Sequence, residues 1–169
     1  MEIKSQIDNP DGTTTEVVYT DASSFDGLDR ASVRQVYGVC FLGDEMLIVF
    51  NGKRKAWGLA GGTIEEHESY EECLKRELLE EANVRMTALE PVGYQTVTVN
   101  GKKIMQLRYA CSAEQAGPFV ADPDESITEM KLIDPTTCKQ YFDWGEIGHH
   151  IIMRAVEMNS RGLDKKSVG

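Results

Sequence analysis

No apolar run in this sequence approaches the roughly 18 residues that a membrane-spanning helix requires. The amino terminus, Met1-Glu-Ile-Lys-Ser-Gln, is polar, so neither a signal peptide nor a membrane anchor is expected. Basic residues are in deficit, with 18 Lys and Arg against 28 Asp and Glu and a net charge of −10. That balance argues against a broad nucleic-acid-binding face, because phosphate contacts need a basic surface to displace counterions. Small anionic substrates stay open, provided that metal ions and a few local basic groups draw them in against the field of the whole molecule. Cysteine is scarce and unpatterned. Cys40, Cys73, Cys111 and Cys138 have no C-x-x-C spacing, which favours reduced, buried thiols in a cytoplasmic protein over zinc ligands or disulfides. Internal repeats and low-complexity tracts are missing too. What remains is 169 residues with 41% hydrophobic content, enough for one domain with a full core.

Against that background, the stretch from Gly62 to Val84 concentrates a glycine turn, a helix start and a row of carboxylates. Ser69 followed by Glu72 is a capping-box pattern, so a helix is expected to begin just after Glu68 and to run to about Ala82. On such a helix Glu77 and Glu81 lie roughly 40° apart, with Glu80 about 60° to their other side, so three carboxylates share one arc. Carboxylates that close raise one another's pKa unless a divalent cation neutralises them, and hard oxygen ligands suit Mg2+ or Mn2+.

The order of residues resembles the Nudix box, G-x5-E-x7-R-E-U-x-E-E-x-G-U, where U is aliphatic. Gly62, Glu68, Arg76, Glu77, Leu78, Glu80, Glu81 and Val84 fall on the pattern, and Asn83 stands where the family has glycine. That position follows the helix end, where a left-handed residue is often needed, and Asn tolerates the conformation well. Ala60 replaces a common proline and His67 a common glycine, and neither change removes an acid.

Elsewhere the chain reads as strands with a second helix. Asn9-Pro10-Asp11-Gly12 is a turn signal ahead of alternation through Thr13, Thr15, Val17 and Tyr19. Residues 1–32 form a hairpin and loop extension, with capping the domain or pairing with a second subunit as its open roles. Residues 33–160 make the main domain and 161–169 a tail. Strands are expected at Val33 to Leu42 and Glu45 to Phe50, joined by Gly43-Asp44 and followed by a tight turn at Asn51-Gly52. Trp57-Gly-Leu-Ala-Gly-Gly62 comes next, with no strand or helix expected in it. Val92 to Val99 and Lys102 to Cys111 flank Asn100-Gly101, the strongest hairpin signal present, and Ile127 to Ile133 is a further strand. Ile147, Ile151, Ile152, Ala155 and Val156 form a helical stripe within Gly145 to Asn159, which Gly162 can close. Strands around a central helix, with a terminal helix, predict an α/β layered domain, in agreement with the Nudix-like α/β/α sandwich and its mixed β-sheet.

The resemblance implies roles. Glu77, Glu80 and Glu81, with the backbone carbonyl of Gly61, would hold Mg2+ or Mn2+, and Gly62, Glu68 and Arg76 would shape the loop, with Glu68 folding back onto the guanidinium. The base that takes a proton from water would be Glu77, in the box helix, or Glu125, in the late loop Asp122-Pro-Asp-Glu125. Arg54 and Lys55 precede the glycine turn and could meet a substrate phosphate or be a solvated hairpin tip. Arg34 and Arg108 sit on expected strands whose facing is not legible. Tyr141-Phe142-Asp143-Trp144 reads as core or helix staple ahead of base stacking, and His149 and His150 as surface or packing residues. The implied activity is Mg2+-dependent hydrolysis of the diphosphate bond of a nucleoside diphosphate linked to another group, such as a nucleoside triphosphate, nucleotide sugar or dinucleotide. A non-catalytic nucleotide-binding Nudix domain and an isopentenyl diphosphate isomerase are the alternatives.

Overall fold

In the computed structural model, residues 1–121 and 126–163 are described. They form nine strands, two α-helices and one 3-10 turn. The strands are β1 (Glu2–Asp8), β2 (Thr14–Asp21), β3 (Val33–Leu42), β4 (Glu45–Asn51), β5 (Ala56–Gly58), β6 (Ala60–Thr63), β7 (Val84–Val99), β8 (Lys102–Gln115) and β9 (Ile127–Ile133). The helices are α1 (Tyr70–Ala82) and α2 (Gly145–Ser160).

One mixed sheet holds every strand, in the order β1-β2-β7-β8-β3-β4-β5, with β6 on β3 and β9 on β4. β3 and β8 run parallel, while the other pairs are antiparallel. β3 is the branch point. Its end at Phe41–Leu42 pairs with β4, and its start, Gln35 to Gly38, pairs with β6. That fork turns the chain from the sheet into the box loop.

The helices cover opposite faces, so the expected α/β/α sandwich with a mixed sheet is what the chain adopts. α1 buries Cys73, Leu74, Leu78 and Ala82 against Val36, Cys40, Leu89, Leu107 and Tyr109. A Cβ on Gly38 would stand 3.1 Å from Leu74 Cδ1, so a bare backbone lets the helix lie this close. Leu74→Ala would cost about 2–5 kcal/mol through lost burial and the cavity left behind. α2 buries Ile147, Ile151, Ile152, Ala155 and Met158 against Val39, Phe41, Ile48, Val92 and Ala110. Val156, read as part of that stripe, is only partly buried.

Local signals held where the chemistry is local. Asn100 and Gly101 both have positive φ, 50° and 77°, as a two-residue turn between right-twisted strands requires. Two readings need correction. The turn after β4 spans residues 52–55, because Asn51 pairs with Ala56, so it is not a tight turn at Asn51-Gly52. Trp57 to Gly62, where no strand is expected, contains β5's end and most of β6. The hairpin expected within residues 1–32 is formed by β1 and β2, and it joins the main sheet, since β2 pairs with β7 from Thr15↔Val99 to Asp21↔Gly93. α2 locks it from the far side. His150 Nε2 lies 2.8 Å from Asp21 Oδ1, Tyr19 OH donates to the same oxygen at 2.9 Å, and Arg154 Nε donates to the Val92 carbonyl at 3.0 Å.

Candidate active site

Two glycines open the site, each for its own reason. Gly61 has a φ of 149°, and a Cβ there would stand 2.2 Å from the Val36 carbonyl oxygen, so no side chain fits. At Gly62 a Cβ would stand 2.5 Å from Glu77 Oε1. The box glycine is the space that the Glu77 carboxyl uses.

The next turn sets up the helix. Glu65 N donates to Glu68 Oε1 at 3.1 Å, and His67 carries a left-handed φ of 64°. Ser69 caps α1, with both bonds of the capping box formed with Glu72. At the other end Asn83 has φ 53° and ψ 45°, and its amide donates to the Pro118 carbonyl at 2.8 Å. Asn thus takes the left-handed conformation of the family glycine and adds a tie to the loop after β8.

Arg76 organises the acids. Its Nε donates to Glu68 Oε2 at 2.7 Å and its Nη2 to Glu68 Oε1 at 2.9 Å, a forked pair. Nη1 reaches Glu77 Oε1 at 3.0 Å and Glu80 Oε2 at 3.3 Å, and Nη2 donates to the Thr63 carbonyl at 3.2 Å. The Arg76 hydrogen bonds hold the Glu68 carboxyl down at about 2, against burial that would raise it. Glu68 therefore does fold back onto the guanidinium eight residues along.

Glu77 and Glu81 lie together, hydrogen-bonded to each other, and Glu81 is buried. Burial pushes the Glu77 carboxyl above the usual carboxylate range, against the lowering effect of the Glu81 bond and of Arg76. Glu80 is different. It is exposed and turned to Arg76. The arc of three carboxylates expected from helix geometry is thus divided into a hydrogen-bonded pair, buried Glu81 with partly buried Glu77, and an exposed rim member. Among the described residues, no three His, Cys, Asp or Glu side chains converge in metal-binding geometry. The donor chemistry nevertheless fits a hard divalent cation. One guanidinium serves Glu68, Glu77 and Glu80 and leaves the cluster net negative, and burial of Glu77 works against its charge.

A family model described as the NUDIX domain matches residues 33–152. The chain belongs to the Nudix family. A structure of a variant of the Bacillus subtilis pyrophosphohydrolase BsRppH superposes with a TM-score of 0.66 at 17% identity, covering 95% of this chain and 99% of that one. An ADP compounds hydrolase gives 0.59 at 15%, covering 95% and 94%. The ORF135 protein of E. coli gives 0.59 at 20%, covering 79% and 96%. At such identities these likenesses establish the fold. A search of curated proteins gave no match.

The other residues read as site candidates in this Nudix chain separate. Arg54 and Lys55 are exposed on the turn between β4 and β5, and the Arg54 charge is felt by the Tyr37 phenol, as are those of Glu77 and Glu81. Arg108 is buried on β8, stacked over the Tyr37 ring at 4.9 Å. Arg34 is exposed. Glu125 lies outside the described residues. Tyr141 and Phe142 pack partly buried against the α2-side core, while Trp144 is 44% exposed and stacks on Phe142 at 4.5 Å between ring centroids. His149 is exposed, and His150 is committed to Asp21. Sequence reasoning missed Arg30 and Tyr37. Tyr37 had a usable signal, a polar alternation Gln35-x-Tyr37 on a strand that is apolar from Gly38 to Leu42.

Proposed function

We propose that this Nudix hydrolase cleaves the diphosphate bond of a nucleoside diphosphate linked to another group, with Mg2+ or Mn2+ held by Glu77, Glu80, Glu81 and the Gly61 carbonyl. The observation that carries the reading is the placement of Glu77, hydrogen-bonded beside buried Glu81 and laid against the bare backbone of Gly62. When bound, the ion supplies positive charge to the diphosphate oxygens and lowers the pKa of water. The chain's own residues do the rest. Arg76 and Glu68 lock the loop to the helix, so the carboxyls stand on a rigid element when substrate arrives. Glu80 joins Glu77 and Glu81 by giving up its bond to Arg76, which retains the Glu68 fork. Arg54 and Lys55, at the tip of a hairpin beside Tyr37, meet substrate phosphate. Water enters at phosphorus, and its proton passes to Glu77 or to Glu125.

The isomerase alternative is disfavoured by the thiols. All four cysteines are buried, and burial pushes Cys73 up to about 12 and Cys138 up to about 11, the opposite of a reactive thiol. The non-catalytic alternative is disfavoured by a box that keeps every acid. A panel of nucleoside diphosphate derivatives assayed with Mg2+ and Mn2+, with products identified by mass, tests the proposal. Release of a phosphorylated product that stops in excess chelator is expected. Full activity in chelator, or no cleavage of any diphosphate, would overturn it.

A further inference from the structure

Past the end of the α2 core, the α2-side face of the sheet turns from apolar to polar. Along β8, Ala110 belongs to the core, Arg108 comes next and Gln106 after it. Two cross-strand rows lie there. One runs Gly61–Tyr37–Arg108–Gly93, and the next runs Thr63–Gln35–Gln106–Gln95. At about 4.8 Å per strand, Arg108 is about 10 Å from the box glycine Gly61, one nucleoside's reach from the acids.

Arg108 is an unusual floor residue. It is 5% exposed, its Nε has no hydrogen-bond partner among the described residues, and no carboxylate is within ion-pair distance of its guanidinium there, the titratable groups felt at it being the Tyr37 and Tyr19 phenols. Burial brings its pKa down to about 10. A guanidinium buried for packing alone would be expected to face a carboxylate, because leaving it unpaired is costly.

Its hydrogen bonds say what it does. Nη1 donates to the Leu107 carbonyl at 3.2 Å, and Nη2 donates to Gln95 Oε1 at 3.3 Å and to Gln106 Oε1 at 3.2 Å. Gln106 Nε2 in turn donates to Gln35 Oε1 at 2.6 Å. Arginine has donors and no acceptor, so it fixes which way the amides of Gln95 and Gln106 face, and Gln106 then fixes Gln35. Each of the three amide oxygens accepts a hydrogen bond inside the cluster. The amide nitrogens of Gln35 and Gln95 have no acceptor among the described residues, and both side chains are half-exposed. The cluster thus offers donors outward.

We infer that Gln35, Gln95 and Gln106, oriented by Arg108, form a substrate subsite that takes a group presenting hydrogen-bond acceptors only, namely the O6/N7 edge of a 6-oxopurine base. Adenine is disfavoured, because its N6 amino group would set a donor against donors. A phosphate oxygen offers the same acceptor chemistry, and the test separates the two. Arg108 acts as a positioning residue, through the amides. The inference rests on the proposed nucleotide hydrolysis for its substrate class, but its test does not need cleavage.

The side-chain amide signals of Gln35, Gln95 and Gln106 in the 15N-labelled full chain are followed during titration with GMP, IMP and AMP, which carry no diphosphate bond. GMP and IMP are expected to bind about tenfold more tightly than AMP and to move the Gln35 and Gln95 signals. Gln35→Glu replaces an outward donor with an acceptor and should bring that ratio to about one or reverse it. Arg108→Lys keeps the charge but loses the shared Nη2 donor, and should reduce the same ratio. If that variant does not fold, the half-exposed Gln35 substitution still decides. Equal binding of GMP and AMP, with inorganic pyrophosphate moving the amide signals, would keep the donor-only subsite and assign it to phosphate. Equal binding without a pyrophosphate response, or an unchanged ratio in Gln35→Glu, would overturn the inference. A purine preference without cleavage of any diphosphate would sink the hydrolase reading alone, and cleavage without preference would sink the subsite alone.

Discussion

Arg30 donates from Nη2 to the backbone carbonyl of Glu68, and its guanidinium lies over the Tyr70 ring, 4.5 Å from the centroid. Arg30 precedes the residues that match the family, 33–152, so a segment outside that match grips the box loop at its central acid. Phe25 anchors the segment by packing edge-on against Tyr70 and Tyr109. The grip falls one residue after His67, which stands where the family usually has glycine and holds a φ of 64°. A side chain in that conformation costs roughly 1–2 kcal/mol, and capturing the neighbouring carbonyl offsets part of it.

Arg30→Ala is therefore expected to speed amide hydrogen exchange across residues 64–69 and to lower stability by about 1 kcal/mol. His67→Gly should relieve the backbone, so the same Arg30 change should cost less in that background. A double-mutant cycle by urea unfolding measures the coupling. Purely additive effects, with unchanged exchange in the loop, would show that the contact does not hold it.

Gly62→Ala forces the Glu77 carboxyl to move, since the new methyl would lie 2.5 Å from Oε1. The expected result is a fall in turnover of about 10²-fold, the loss that an ångström-scale misplacement brings, with circular dichroism little changed. Wild-type turnover in this variant would mean that the observed position of Glu77 is not the working one.

Glu81→Gln keeps the shape of a buried acid and removes its charge, so Mn2+ affinity and turnover should both fall, the latter by orders of magnitude. Glu125→Gln separates the two candidate bases. If Glu125 is the base, turnover drops about 10²-fold or more while Mn2+ affinity stays near that of the parent protein. An Glu125→Gln variant as active as the parent assigns the proton to the box helix.

The Glu68 carboxyl is held at about 2 by the Arg76 fork, below its ordinary value of 4.5. A carboxylate depressed on folding stabilises above its unfolded value and loses that contribution as pH falls toward the folded one. In chelator, the gap in Tm between the parent and Glu68→Gln should be full above about pH 5 and should narrow steadily as the pH falls from 4.5 toward 2. A gap independent of pH would mean that the fork stabilises through packing instead of charge.

Much of this was legible before any fold was known, and the legible parts share a cause. Ser69 with Glu72, Asn83 at the helix end and Asn100-Gly101 at the hairpin are each settled by atoms within a few residues of one another. Glu68 on Arg76 was legible for a different reason, because the box pattern pairs them across the helix cap and about two helix turns. The turn after β4 was misjudged because Asn-Gly signals a turn without saying where pairing resumes, and pairing resumes at Ala56. β6 was passed over because four residues, Ala60 to Thr63, carry no alternation, and they become a strand only beside the open edge of β3.

The sequence by itself determined the acids, the helix that carries them and the two apolar faces that make a layered domain, because capping, turn chemistry and periodicity are local. Tertiary structure decided which acids meet. It paired Glu77 with buried Glu81 and left Glu80 on the rim, since the sheet covers one side of α1 and not the other. It also brought Gln35 against Gln106, 71 residues away, and laid Arg108 over Tyr37. Those contacts follow from the parallel register of β3 on β8, and register between distant strands is set by the packing of whole faces instead of by any short stretch of chain.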